Sequence, residues 1–519
     1  GGGGGGGGEG EEKENETEPN DTDRTSAEET ASTSAEDCEK RLNDVRESCT
    51  SLQAILQESE DNRIYFRACN GLQALAGQFL GQDRFIQNLV SGCKVDVLKT
   101  LTFACYNERN QEELLTRELL IAVMTSLRSD DKHEAMEAVT LLHTATSTES
   151  YRKIQSAYLK ESKPALTTLL SMMVSTDPLF QANAVGLLAN CALEKSLRKA
   201  LLDVEEGRKI INMAVGLLTH SIGVIAEGAT NLLANLCGDT VLRQHLAEHE
   251  GAVKGLLRAF PPAPQLAAPV GLGPALDKSK KSKKSQPKYN PCMVPAALAA
   301  LNNCLLSEQA KEAVVAEGGV PRIVPLLDAR ERVVFVRSAQ ALARAVRKEP
   351  GLDELLAGDA ISKVVAGFGR MKDLSTTLLT KCASDDSRTK EAESHMEAVE
   401  AVVRLLAVCT NMDARAATLL EAAGGLKLLL EVLGDKASSD AAVGNAALCV
   451  ADSARDDAIL DTLAKLDAVP PLIEIAHKRK GACNKNAGIA LARMARNQQC
   501  LARLKELHGI EIMHHYVKQ

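Results

Sequence analysis

The sequence contains no tryptophan, and aromatic residues make up only 3% of it. Sheets favour aromatic and β-branched side chains, so apolar content dominated by Leu, Ala and Val points to closely packed helices. Fourteen cysteines are present, but no two stand at CxxC spacing and none pairs with a histidine in a zinc-finger pattern. No apolar run approaches the roughly 20 residues of a membrane span. There is no GxxxxGK[ST], HExxH or GxSxG motif. These absences leave no basis for a catalytic residue, a metal or a cofactor, and a non-enzymatic protein off the membrane is expected.

Charge excludes more. The formal net charge is −8 with a pI near 5.8, which offers nucleic acid no general electrostatic attraction. Residues 1–40 hold 13 Asp or Glu against three Lys or Arg, so the acidic excess is local and the remainder is close to neutral. The chain opens on Gly1–Gly8 without an initiator Met, and the natural protein is expected to begin further upstream. Residues 1–37 are Gly, Glu, Ser and Thr with almost no large apolar side chain, and are read as a disordered tail.

What is present is a repeated phrase: Leu187-Leu188-Ala189-Asn190-Cys191, Leu232-Leu233-Ala234-Asn235-Leu236-Cys237 and Ala300-Leu301-Asn302-Asn303-Cys304. The equivalent position falls at Ala104, Thr144, Asn190, Asn235, Asn303, Arg344, Val408, Asp452 and Arg493. Most steps are 40–46 residues, the period of armadillo and HEAT solenoids. Within one unit, Glu317-Gly318-Gly319-Val320-Pro321 ends one helix and starts a second over Arg322–Leu327, and a longer third helix follows through Leu342-Ala343. The corner returns at Gly251, Gly424-Gly425 and Gly509. Three helices per unit predict an all-α, armadillo-type right-handed superhelical solenoid of about nine units over residues 38–519. Six cysteines (Cys105, Cys191, Cys237, Cys304, Cys409, Cys449) lie in or beside the phrase and are expected as buried hydrophobes in a reducing cytoplasm.

Two steps are long, 68 and 64 residues. The first holds a Lys- and Pro-rich insert, 261–291, expected to be disordered. Its lysines Lys278, Lys280, Lys281, Lys283 and Lys284 form a basic loop with two readings: a localisation or anion-contact signal, or charge that keeps the insert solvated. The second holds a polar insert, 371–394, for which a loop and an extended helix both stand. Asn190, Asn235 and Asn303 are the candidate protein-binding residues, because a repeated amide on the third helix offers hydrogen bonds to an extended peptide. The other reading is that each amide braces its neighbour inside the solenoid. Without tryptophan, the nuclear-import type of groove, which pairs each Asn with a Trp, does not apply.

The C-terminal fifth is more specific. Val443-Gly444-Asn445-Ala446-Ala447-Leu448-Cys449, Asn486-Ala487-Gly488-Ile489-Ala490-Leu491-Ala492 and Leu504-Lys505-Glu506-Leu507-His508-Gly509-Ile510-Glu511-Ile512 resemble the C-terminus of the tetratricopeptide repeat protein twelve family. That resemblance implies a cytoplasmic assembly factor for the axonemal dynein arms of motile cilia, with dynein subunits, assembly factors and chaperones as protein partners. A monomer without nucleic-acid or membrane partners is expected. No 34-residue tetratricopeptide pattern occurs in residues 1–100, so recruitment of chaperones through such a module is not expected of this chain. The alternatives are a general scaffold or trafficking adaptor unrelated to cilia, and a co-chaperone of the myosin-chaperone type.

Overall fold

A computed structural model describes the chain except for residues 1–20, 81–83, 115, 206–208, 263–290, 347–348, 382–383, 510 and 512–519. The described residues are helical and contain no strand. They divide into two compact units, Gly1–Tyr151 and Arg152–Gln519. The longest helix of each repeat is labelled here. In the first unit these are α1 (Asp21–Glu58), α2 (Arg84–Ala104) and α3 (Lys132–Ala145), with α2 packed along both others. The second unit contains α4 (Pro178–Cys191), α5 (Gly223–Leu236), α6 (Val294–Cys304), α7 (Arg332–Ala345), α8 (Asp385–Met412), α9 (Asp440–Ser453) and α10 (Ala482–Met494). Each packs along the next, and shorter helices pack against them.

Repetition of sequence becomes repetition of packing. The phrase positions from Ala104 to Arg493 all lie within the labelled helices, in the last turn or two of each. The small and branched residues around them are sealed: Leu188, Leu233, Leu301, Leu342, Leu406, Val450 and Leu491 are fully buried. The six phrase cysteines are buried too, and burial pushes the thiols of Cys105, Cys191 and Cys409 up to about 12. Such thiols remain protonated at neutral pH and pack as small hydrophobes.

The corners obey one local rule. A residue with positive φ is followed at once by a small residue pressed against the preceding helix. The pairs are Asn70-Gly71, Gly318-Gly319, Asp359-Ala360, Gly424-Gly425, Asp467-Ala468 and His508-Gly509. Gly424, at φ 75°, ends one helix in the left-handed region, while a Cβ on Gly425 would fall 2.2 Å from Leu420 Cδ1. Asn, Asp and His substitute at the first position because a short polar side chain tolerates that conformation. The expected corners at Gly251 and Gly509 need correction: Gly251 has φ −87°, and at the last corner the left-handed residue is His508.

The second helix of the Gly318 unit also differs from expectation. It is a short α-helix, Gly319–Ile323, continuing as a 3-10 turn over Val324–Asp328. Pro325 lacks the N–H that a continued α-helix would use, which favours the tighter turn.

The insert at 371–394 is helical over 371–381 and 385–394. Ala360–Lys381 and α8 run past the ordinary repeat length and pack on each other. Ser384 caps α8 by accepting from Ser387 N, and Asp385 and Asp386 suit the positive end of the helix. Much of the insert at 261–291, including the five loop lysines, lies outside the described residues. So do residues 1–20 of the acidic tail. Helix α1 starts at Asp21, earlier than the tail boundary at 37, over a stretch whose Ala27, Glu28, Glu29, Ala31 and Ala35 are strong helix formers.

Candidate protein-interaction face

The face of the second unit's long helices begins with a backbone fault that recurs at their C-terminal ends. In α4, Ala192 N donates to Leu188 O in the α-helical manner, and Leu193 N then donates to Asn190 O. The change from a four-residue to a three-residue step passes over Ala189 O. The same happens in α5, α6, α9 and α10, where Ala234 O, Asn302 O, Ala451 O and Ala492 O are skipped. Each skipped carbonyl sits one residue before the phrase position. A carbonyl left without a donor at a packed helix end costs about 1–3 kcal/mol.

For Ala189 O, Asn302 O and Ala451 O the next repeat supplies the donor. Asn235 Nδ2 donates to Ala189 O at 2.8 Å. Arg344 Nη1 donates to Asn302 O at 3.0 Å and to Asn302 Oδ1 at 2.9 Å. Arg493 Nη1 donates to Ala451 O at 2.6 Å and to Asp452 Oδ1 at 2.8 Å. Two turns earlier a second row repeats the device: Arg337 Nη1 donates to Pro295 O at 2.6 Å, and Asn486 Nδ2 to Gly444 O at 2.8 Å. Asn and Arg are therefore chemically equivalent in these rows, because each is a side-chain N–H donor that reaches the neighbouring helix. Of the three candidate asparagines, Asn235 is tied to the preceding helix, and Asn303 bonds within its own helix to Ala299 O at 3.0 Å. Asn190 is half-buried at the same register.

One amide N–H so engaged leaves a second N–H and part of the Oδ1 capacity of a half-buried asparagine. The face thus combines fixed side chains with residual hydrogen-bonding groups, a pre-organised surface for an extended chain. Apolar side chains flank it at its edges: Leu179 is 64% and Val224 66% exposed.

Asn235→Ala is expected to lower stability by about 1 kcal/mol, the worth of one hydrogen bond together with its orphaned carbonyl. Hydrogen exchange should show the loss confined to α4 and α5, because stability in a repeat stack is local. An unchanged exchange pattern there would remove the bracing role.

The remaining ionic groups divide into structural and free ones. Asp452 is almost wholly buried, and its Oδ1 is shared by Arg493 and Arg455, both at 2.8 Å. Arg332 and Glu391 form a two-pronged pair joining α7 to α8, with Nη1–Oε2 at 2.9 Å and Nη2–Oε1 at 2.6 Å. The Arg332 guanidinium holds the Glu391 carboxyl below its ordinary value. Nearby His395 is shifted down by burial and then by Arg332, and its ring lies 6.1 Å from that of Phe368. Among the described residues no group of three or more His, Cys, Asp or Glu could hold a metal ion, and no helix is long and apolar enough to cross a membrane.

Comparison with known proteins places this arrangement. No family model matches the chain. It is 24% identical to human tetratricopeptide repeat protein 12 over 438 residues, covering 82% of this chain and 55% of that protein. The mouse protein of the same name gives 24% over 439 residues, with the same coverage. The chain thus spans about half the length of the curated relatives it matches, and the alignment reaches well beyond the C-terminal fifth. Among solved structures, one from work on a phosphorylation switch controlling the interaction between cadherin and beta-catenin superposes with a TM-score of 0.62 at 15% identity. It covers 87% of this chain and 80% of that one. A crystal structure of an engineered protein gives a TM-score of 0.58 at 19% identity, covering 86% and 94%. The fold is that of armadillo-repeat proteins, and the chain is an armadillo-type protein similar to tetratricopeptide repeat protein 12.

Proposed function

We propose that this chain is a non-enzymatic scaffold that holds an extended segment of a client protein along the face of α4–α10, as a cytoplasmic assembly factor for axonemal dynein arms. The observation that supports binding is the face itself. On α5, α7 and α10, Asn235, Arg344 and Arg493 are already fixed by the backbone of the preceding helix, with amide and guanidinium donors to spare. Holding a subunit this way keeps its sticky segments covered until its own partners arrive. The ciliary assignment rests on the resemblance to tetratricopeptide repeat protein 12, which the alignment extends over 82% of the chain.

The test is affinity purification of the protein from ciliated cells, before and after dynein subunits are depleted. Dynein chains recovered from intact cells support the reading. Recovery of myosin instead points to the myosin-chaperone type, and recovery of neither leaves a general scaffold and ends the ciliary assignment.

A further inference from the structure

The face changes character along its length. At the exposed registers of α4, α5 and α6 the side chains are amides, small residues and exposed Leu or Val, with Glu227 the one charged group. From α7 onward the same registers carry Arg337, Arg344, Arg404 and Lys485, none of which is ion-paired among the described residues. Arg337 and Arg344 spend donors on backbone carbonyls, which neutralise no charge. Arg404 and Lys485 are exposed, and their side chains make no hydrogen bond or ion pair there. Arg404 also stands near enough to Arg344 for like-charge repulsion to add to burial in lowering the Arg344 pKa.

The carboxylates facing this stretch offset it only in part, Glu397 standing near enough to Arg337 to favour its charged form. Glu397 accepts from Gln340 at 3.2 Å, Glu400 from the Ser439 hydroxyl, and Asp452 is already shared by two arginines. Four cations on α7, α8 and α10, set against the two carboxylates Glu397 and Glu400 that no arginine or lysine pairs with, are a local excess in a chain with net charge −8. Unpaired guanidinium groups with spare donors in a planar fork match carboxylates in two-pronged geometry.

Resting on the protein-binding reading above, we infer that the segment held by this face is itself divided: an acidic stretch lies across α7–α10, and an uncharged, partly apolar stretch lies across α4–α6. The chain direction of the client is then set by charge, since reversal would place its carboxylates against amides and leave the arginines unmatched.

The test uses the full chain and three labelled peptides of about 20 residues, alternating Ser with Glu, Gln or Lys, followed by fluorescence anisotropy at low and at physiological ionic strength. The Glu peptide is expected to bind about tenfold or more tightly than the Gln peptide, with the advantage shrinking as salt rises. Arg404→Glu combined with Lys485→Glu should abolish that advantage. Neither reversed residue holds any neighbour, so the double variant should keep its helical circular dichroism. Equal binding of the Glu and Gln peptides, tighter binding of the Lys peptide, or an unchanged Glu affinity in the double variant overturns the inference. Dynein recovery from cells with any of these peptide results refutes the charge assignment alone. The expected peptide results without dynein recovery support the assignment and remove the ciliary role.

Discussion

Replacing Arg332 with methionine is expected to destabilise the region around α7 and α8 by about 3 kcal/mol, because it leaves the Glu391 carboxylate shielded from water without its partner. Both side chains are largely buried, at 13% and 11% exposure, and the two parallel hydrogen bonds fix their relative orientation. In a repeat stack the loss should appear locally, as about a hundredfold faster amide exchange in α7 and α8 while α4 and α5 keep wild-type rates. The effect depends on pH. Glu391 has a lowered pKa in the fold, so its contribution is full above the ordinary carboxylate range and disappears as pH falls through the lowered value. His395, also lowered, is held neutral, and the fold loses stability as pH drops below the ordinary histidine value near 6.5. The wild type should therefore weaken steadily on acidification around α8. The methionine variant should lose the Glu391 part of that dependence, and identical pH profiles for the two proteins would refute the assignment.

The second large effect is at Phe335, fully buried in α7, whose ring edge occupies the space where a Cβ of residue 367 would stand. A Cβ placed on Gly367 falls 2.3 Å from Phe335 Cε2. Phe335→Ala should cost about 4 kcal/mol through lost burial and the cavity left behind. Gly367→Ala alone should cost about 2 kcal/mol, since the ring must move within a packed core. The double variant is the decisive measurement. With the ring gone the added methyl enters the cavity, so Phe335→Ala with Gly367→Ala should be no less stable than Phe335→Ala alone. Urea unfolding midpoints give the comparison, and additive costs would show that the two residues do not share this contact.

These two contacts explain why the insert at 371–394 reads ambiguously as sequence. Its own residues are polar and charged, compatible with a loop or a solvated helix. Support from outside holds it as a helix: Arg332 grips Glu391 within the insert, and Phe335 packs on Gly367 in the helix that leads into it. Neither partner is near the insert in the sequence, and no local pattern announces the pairing.

The corners show the opposite case. Gly318-Gly319 and Gly424-Gly425 are visible as glycine pairs, whereas Asp359-Ala360 and Asp467-Ala468 make the same turn with residues that fit many other contexts. The signal that finds them is positional, an Asp followed by Ala one repeat away from a known glycine corner.

The sequence by itself determined the helical class, the period near 40–46 residues, and the burial of the Leu, Ala and Cys positions, because these depend on side-chain volume repeating at helical spacing. Tertiary structure decided what the Asn and Arg of the repeated phrase do. A change of hydrogen-bonding step at the end of one long helix leaves a carbonyl without a donor, and only stacking brings the next helix's side chain within 2.6–3.0 Å of it. Asn235, Arg344 and Arg493 look unlike one another as letters, and they are alike as donors to a backbone oxygen some 42–46 residues earlier in the chain.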